Sequence, residues 1–251
     1  MNFLAHYEIA TRFLTPMKPL SAYVVGTALP DLLPLAADRV RFRLGQLGAE
    51  TEFEAALAAG VSAHLATDRA FHKTAAFAEA SAEVSRLLAE AAFNGMRVRR
   101  FFVAHVLTEI ALDAVLLRAE PERAGRFYDA FAAADLEAAA QWTETVTGRF
   151  LPRLPETLAR FGRSQYLRQY AEDDGVATGL SNLCRRARQD GFEGENFSRL
   201  SAVVTGAAAR MPPFIPALFS ETAAGILSSR GEHGLVSQRS KNEDLSLWQT
   251  H

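Results

Sequence analysis

The sequence predicts an all-α fold: one multi-helix bundle over residues 1–228, followed by a polar tail over residues 229–251. Three observations lead there. Apolar residues recur at helical spacing through most of the chain. No set of runs alternates apolar and polar residues as half-buried strands would. Neither an internal repeat nor a sharp change of composition divides the chain into two domains.

Taken in order, residues 2–14 carry Phe3, Leu4, Ile9, Phe13 and Leu14 on a helical period, which Pro16 and Pro19 end. The apolar piece AYVVGTALPDLLP follows, with Asp31 as its one charge. Pro30 constrains the backbone before it, which predicts a turn or the start of a short helix there. Residues 38–50 are charged and less regular, punctuated by Gly45 and Gly48. Thr51 and Glu54 then have the spacing of a capping box, opening the helix that carries His64, Asp68 and His72. Residues 75–93 form an amphipathic helix closed by Asn94-Gly95, and the basic stretch MRVRR leads into a helix with His105, Glu109 and Asp113. Pro121 opens the next helix, and residues 135–161 read as mostly helical despite Pro152 and Pro155. Residues 165–188 keep the helical period, weakened by Gly175 and Gly179, and residues 196–210 give another helix. MPPFIPALF reads as an apolar connector. Residues 229–251 are polar and aperiodic, as expected of a poorly ordered tail.

The apolar fraction of 49% is ample for a core, and the formal net charge of -2 gives no bulk attraction to nucleic acid or an anionic membrane. Cys184 is the one cysteine, so a disulfide framework within the chain is ruled out and burial as a small hydrophobe is expected. The opening MNFLAHYEIATRF lacks the features of a signal peptide, and no stretch reaches the length of a membrane span. A cytoplasmic protein is therefore expected.

The chemistry gathers in GVSAHLATDRAFH, residues 60–72. His64, Asp68 and His72 recur every four residues, a spacing that drifts only about 40° per step around a helix. The run FFVAHVLTEIALDAVLL repeats the arrangement with His105, Glu109 and Asp113. Imidazole with carboxylate is a donor mixture suited to zinc, manganese or iron, and helical i, i+4 pairs hold two donors on one face. His6 and Asp31, each in an apolar run, add two further donors. The same residues also suit plainer roles: His6 as a hydrogen-bonded core residue, His64 and Asp68 as an ion pair, Asp113 as a supporting or exposed group. Arg69 and the basic residues Arg97, Arg99 and Arg100 are of the type that orients a phosphate, and equally the type that faces solvent. There is no nucleophile elbow, Walker loop or dinucleotide-binding glycine fingerprint.

MNFLAH, GTALPDLL, HLATD and YLRQYAEDDGVATGLSNLCRRAR together resemble the acyl carrier protein phosphodiesterase family, over roughly residues 1–190. The resemblance implies a fold like that of the HD-domain phosphohydrolases and a manganese-dependent cleavage of a phosphodiester. His6, Asp31, His64 and Asp68 fall on the family's motif positions. His72, His105 and Glu109 stand where that family tends to carry aspartates, so the donor set here is richer in imidazole. In that respect it is also similar to the zinc-dependent phospholipase C and single-strand nuclease group.

The expectation is a metal-dependent hydrolase of a phosphoester or phosphodiester, acting through attack of a metal-bound hydroxide on phosphorus. His6, Asp31, His64, Asp68, His72, His105 and Glu109 would hold the divalent ion (Mn, Zn or Fe). Asp113 or His72 would accept the proton, and Arg69 would hold the phosphate. Acyl carrier protein is one candidate substrate, and no nucleic-acid partner is expected. Two other classes stay open: a lipid or acyl-chain binding protein with a relict metal site, and a non-catalytic helical module whose polar rows are buried hydrogen-bond networks.

Overall fold

The structure is a computed structural model that describes residues 3–95, 99–187 and 189–231. Its regular elements are helical throughout, with no strand among the described residues. Four helices form the centre: α1 (Phe3–Arg12), α2 (Leu20–Ala36), α3 (Glu52–Phe71) and α5 (Arg100–Ala119). The first, α1, packs against the other three, so the residues it carries meet groups from all of them. Its residues from Phe3 to Ala10 are all buried, as a helix enclosed on every side must be.

The closest approach is between α2 and α3. A methyl group on Gly26 would lie 2.3 Å from the Leu57 carbonyl oxygen, and one on Gly60 would lie 2.2 Å from that of Tyr23. These are impossible contacts for a side chain, so the two glycines let the backbones touch. Thr27 and Asp31 follow on the same stretch of α2, and His64 lies one turn beyond Gly60. The glycine contact therefore sets the register in which these residues meet.

Sequence and structure differ over α2. Pro30 does not begin a helix; α2 runs from Leu20 through Pro30 and Pro34 to Ala36. Each proline removes one helical hydrogen bond. The buried stretch Ala22–Leu29, packed against α1, α3 and the outer helices, outweighs that loss.

The outer helices are α4 (Ala75–Glu90), α6 (Glu122–Ala132), α7 (Leu136–Thr147), α8 (Leu154–Ser164), α9 (Asp173–Arg186), α10 (Gly194–Arg210) and α11 (Ile215–Gly231). The apolar piece MPPFIPALF is not a connector: Pro212–Phe214 make one 3-10 turn, and α11 starts at Ile215. Residues 165–172 do not continue a helix into α9. They form a 3-10 turn, Tyr166–Ala171, and Gly175 sits where a methyl group would strike the Gln169 carbonyl. Ser229–Gly231 belong to α11, while residues 232–251, the rest of the expected tail, lie outside the described residues. Cys184 is buried, and burial pushes its thiol up to about 11, consistent with a packing role.

Across the core, Glu8 of α1 pairs with Arg123 of α6 at 2.7 Å and with its own helix neighbour Arg12 at 2.6 Å. Glu8 and Arg123 are both buried, and two charges in such a place are tolerable only together.

Candidate metal centre

The polar row on α3 begins from a well-specified helix start. Thr51 Oγ1 accepts from the Glu54 amide at 3.2 Å and the Glu54 carboxylate accepts from the Thr51 amide at 3.3 Å, completing the expected capping box. From there His64 and Asp68 follow at one-turn intervals, and His72 closes the helix at its C-cap.

His6, His64 and Asp68 form one donor group, with a ligand atom from each within 4.8 Å of the others. The rings of His6 and His64 stack at 3.9 Å between centroids, and both side chains are buried. Nδ1 of His64 donates to the Thr27 carbonyl at 2.8 Å. That bond leaves Nε2 with the lone pair, and it is the kind of backbone contact that orients a metal-ligating imidazole. Asp31 lies 3.9 Å from this same Nε2. Burial raises the Asp31 carboxyl, partly opposed by His64. Burial, and then the neighbouring His64, hold His6 well below the ordinary imidazole range, which keeps it neutral and able to donate a lone pair. Nδ1 of His6 is buried without a hydrogen-bond partner. An unsatisfied nitrogen in such a place is unfavourable unless something binds there.

His72, His105 and Glu109 form the second group. His72 Nε2 donates to Glu109 Oε1 at 2.8 Å, and His105 Nε2 lies 3.2 Å from the same oxygen. The two imidazoles stack at 4.6 Å, and the ring of Phe77 on α4 meets both nearly edge-on, at 4.9 and 5.1 Å. Asp68 joins the groups, its Oδ1 standing 3.4 Å from His72 Nδ1. Burial lowers the His72 imidazole, but hydrogen bonds to Asp68 and Glu109 outweigh it and raise the pKa to about 10. Glu109 is raised by burial, yet the charges and hydrogen bonds around it carry it well below the usual carboxylate range. The side chains of Asp68 and His105 are 48% and 35% exposed, so the centre opens to solvent on that side and is closed around His6 and His64.

Donors held about 2.0–2.2 Å from one ion lie roughly 3–4 Å apart. The separations of 3.9, 3.4 and 3.2 Å fall in that range, and the 2.8 Å hydrogen bond needs to open by only a few tenths. The donor chemistry, the oriented His64 and the unpartnered nitrogen of His6 all fit a divalent cation.

Six of the seven expected ligands thus fall into the two linked groups, and Asp31 lies beside the first, 3.9 Å from His64. Asp113 does not join them. It is fully buried, and its two oxygens accept the amides of Leu4 and Ala5 at 3.0 and 2.9 Å, fixing the start of α1. Burial pushes its carboxyl up to about 7 against the pull of those two amides. A carboxylate engaged in this way serves to place His6, two residues further on. Arg69 is exposed and has no ion pair among the described residues, and Arg99 and Arg100 are exposed at the start of α5. Arg97 lies outside the described residues. Spacing alone missed the Thr27 carbonyl, the Phe77 ring and the glycine contact. Of these, only Gly60, an apolar-run glycine one turn before His64, carried a visible signal. No family model, curated protein or solved structure matches this chain.

Proposed function

We propose that the protein is a metal-dependent hydrolase of phosphoesters or phosphodiesters. The observation that supports it most is the pair of donor groups joined through Asp68, closed at one end and open at the other. A divalent ion bound there supplies a nucleophile near neutral pH by acidifying a water, and polarises a phosphoryl oxygen. His6, His64, Asp68 and Asp31 would hold it on the closed side, and His72, His105 and Glu109 on the open side. Imidazoles outnumber the carboxylates of either donor group, which favours zinc or iron alongside manganese. The work of the remaining residues is positioning: Thr27 orients His64, and Asp113 holds α1 so that His6 faces it. His72 stands at the solvent-facing side between two carboxylates that hold it protonated, and it would give up a proton to bind an ion. Arg69, beside Asp68, would meet the phosphate of a bound substrate.

The test is metal content by plasma mass spectrometry on tag-free protein, with turnover of bis-p-nitrophenyl phosphate on the same samples. Stoichiometric zinc, iron or manganese is expected, with metal and turnover both lost in His64→Ala and His105→Ala. Metal-free protein after incubation with each ion would overturn the reading. One observation favours a rival: His72 and Glu109 satisfy each other directly through their 2.8 Å bond. A purely structural network of this kind predicts the same melting temperature with and without chelator.

A further inference from the structure

A second cavity, of about 330 Å³, opens between α8, the 3-10 turn and α9. Its volume is that of a small-molecule pocket. Phe161, Tyr166 and Tyr170 supply its aromatic surface, with Phe161 and Tyr166 meeting edge-on at 5.6 Å and the two tyrosines at 5.9 Å. Gly179 lets the Tyr170 ring lie against α9, since a methyl group there would be 3.1 Å from it. The charged side chains of the lining are Arg160 and Arg186, and no carboxylate lines it. Both arginines are exposed, and neither has an ion pair or hydrogen bond among the described residues. Two unpaired guanidinium groups beside aromatic rings, with hydroxyl and amide side chains between, form a surface that attracts an anion and offers a flat apolar face.

The cavity also reaches toward the metal centre. Leu35 lines it, one turn after Asp31 on α2, about 6 Å along the helix axis. Tyr166 is raised well above the ordinary phenol range by burial first, then by the neighbouring tyrosines and by the charges of Asp31 and Asp113.

From this geometry we infer that the cavity is a binding site for a small anion bearing a flat ring, with Arg160 and Arg186 taking the charge and Phe161 and Tyr170 the ring. Where the hydrolase reading holds, the site receives the non-reacting end of the substrate; the binding itself does not depend on that reading. The probe is 2-naphthylphosphonate, which has no ester bond to hydrolyse, titrated calorimetrically into the full chain as purified. Saturable binding is expected, weakened about tenfold or more in Arg160→Met/Arg186→Met, the loss of two charge-assisted contacts. Metal content and melting temperature should stay at wild-type values in that variant, because both side chains are exposed. His105→Ala should bind the probe as the wild type does. Methylphosphonate, with the charge but no ring, should bind much more weakly. No binding, or undiminished binding in the double arginine variant, overturns the site. So does loss of binding in His105→Ala alone, which would place the phosphonate on the metal. Equal binding of methylphosphonate overturns the ring. Protein free of metal that still binds the probe through the arginines would sink the hydrolase reading and leave this site standing.

Discussion

Glu109 and Asp113 lie one turn apart on α5, and their surroundings give them different work. Glu109 faces two imidazoles, whereas both oxygens of Asp113 are engaged by the first amides of α1. Asp113→Asn keeps the shape but turns an NH2 group toward one of those amides, donor against donor. A loss of about 1–3 kcal/mol is expected for a buried group left without its partner. Thermal melting reads it directly, and a variant melting with the wild type would remove Asp113 from this role. Because His6 rides on the helix that Asp113 anchors, metal retention should also fall in the variant. At this scale, the one-turn spacing made the ligand rows on α3 and α5 legible, since i, i+4 residues share a face whatever the fold around them. It did not show where each row leaves the site. Asp113 is the third member of its row, and the drift of the helix carries it beneath α1. Spacing within one helix contains no information on which neighbour covers its far end.

The element that decides the site is the crossing of α2 and α3. With methyl positions at 2.2 and 2.3 Å from opposing carbonyl oxygens, neither Gly60 nor Gly26 has room for a side chain, and the obstacle is backbone, which cannot rotate away. Gly60→Ala would gain about 1 kcal/mol of helix propensity on its own. The helices must instead separate, and overpacking of this kind costs typically about 1–3 kcal/mol or more. The variant is thus expected to melt lower than wild type and to retain less metal, because the Thr27 carbonyl and Asp31 move away from His64 together. A stability gain in Gly60→Ala would contradict the close crossing. Much of this architecture was readable in advance: the capping box at Thr51, the starts of α3 and α6, and the all-helical class. The errors came where tertiary contacts override a local signal. Pro30 reads as a break, yet α2 continues because Ala22–Leu29 are buried on all sides. MPPFIPALF reads as a connector, yet from Ile215 it supplies α11, which packs back onto α3. Residues 165–172 keep a helical period, yet they form a 3-10 turn whose Gln169 carbonyl leaves no room for a side chain at Gly175.

For the whole molecule, the donor groups with Asp31 beside them tie together α1, α2, α3 and α5, which are otherwise held by packing and by contacts such as those of Asp113 with α1 and of His64 with Thr27. An ion shared among them would bind the folded state and not the unfolded chain, where the seven donors are dispersed over more than a hundred residues of sequence. Such an ion adds stability by mass action: at a free concentration a hundred times its dissociation constant, about 2.7 kcal/mol. For a chain of this length each kcal/mol is worth roughly 2–4 °C, so chelation should lower the melting temperature by about 5–10 °C. The drop should be reversed by adding back the ion and should be absent in His64→Ala, which has no complete donor group on the closed side. The sense of the change separates the two readings of the centre. If the imidazoles and carboxylates form only a hydrogen-bond network, the chelator has nothing to remove, and wild type and His64→Ala respond alike. If an ion is bound, removing it takes a positive charge from among Glu109, Asp68 and Asp31. The stability then lost is the stability with which the four central helices were held around the site.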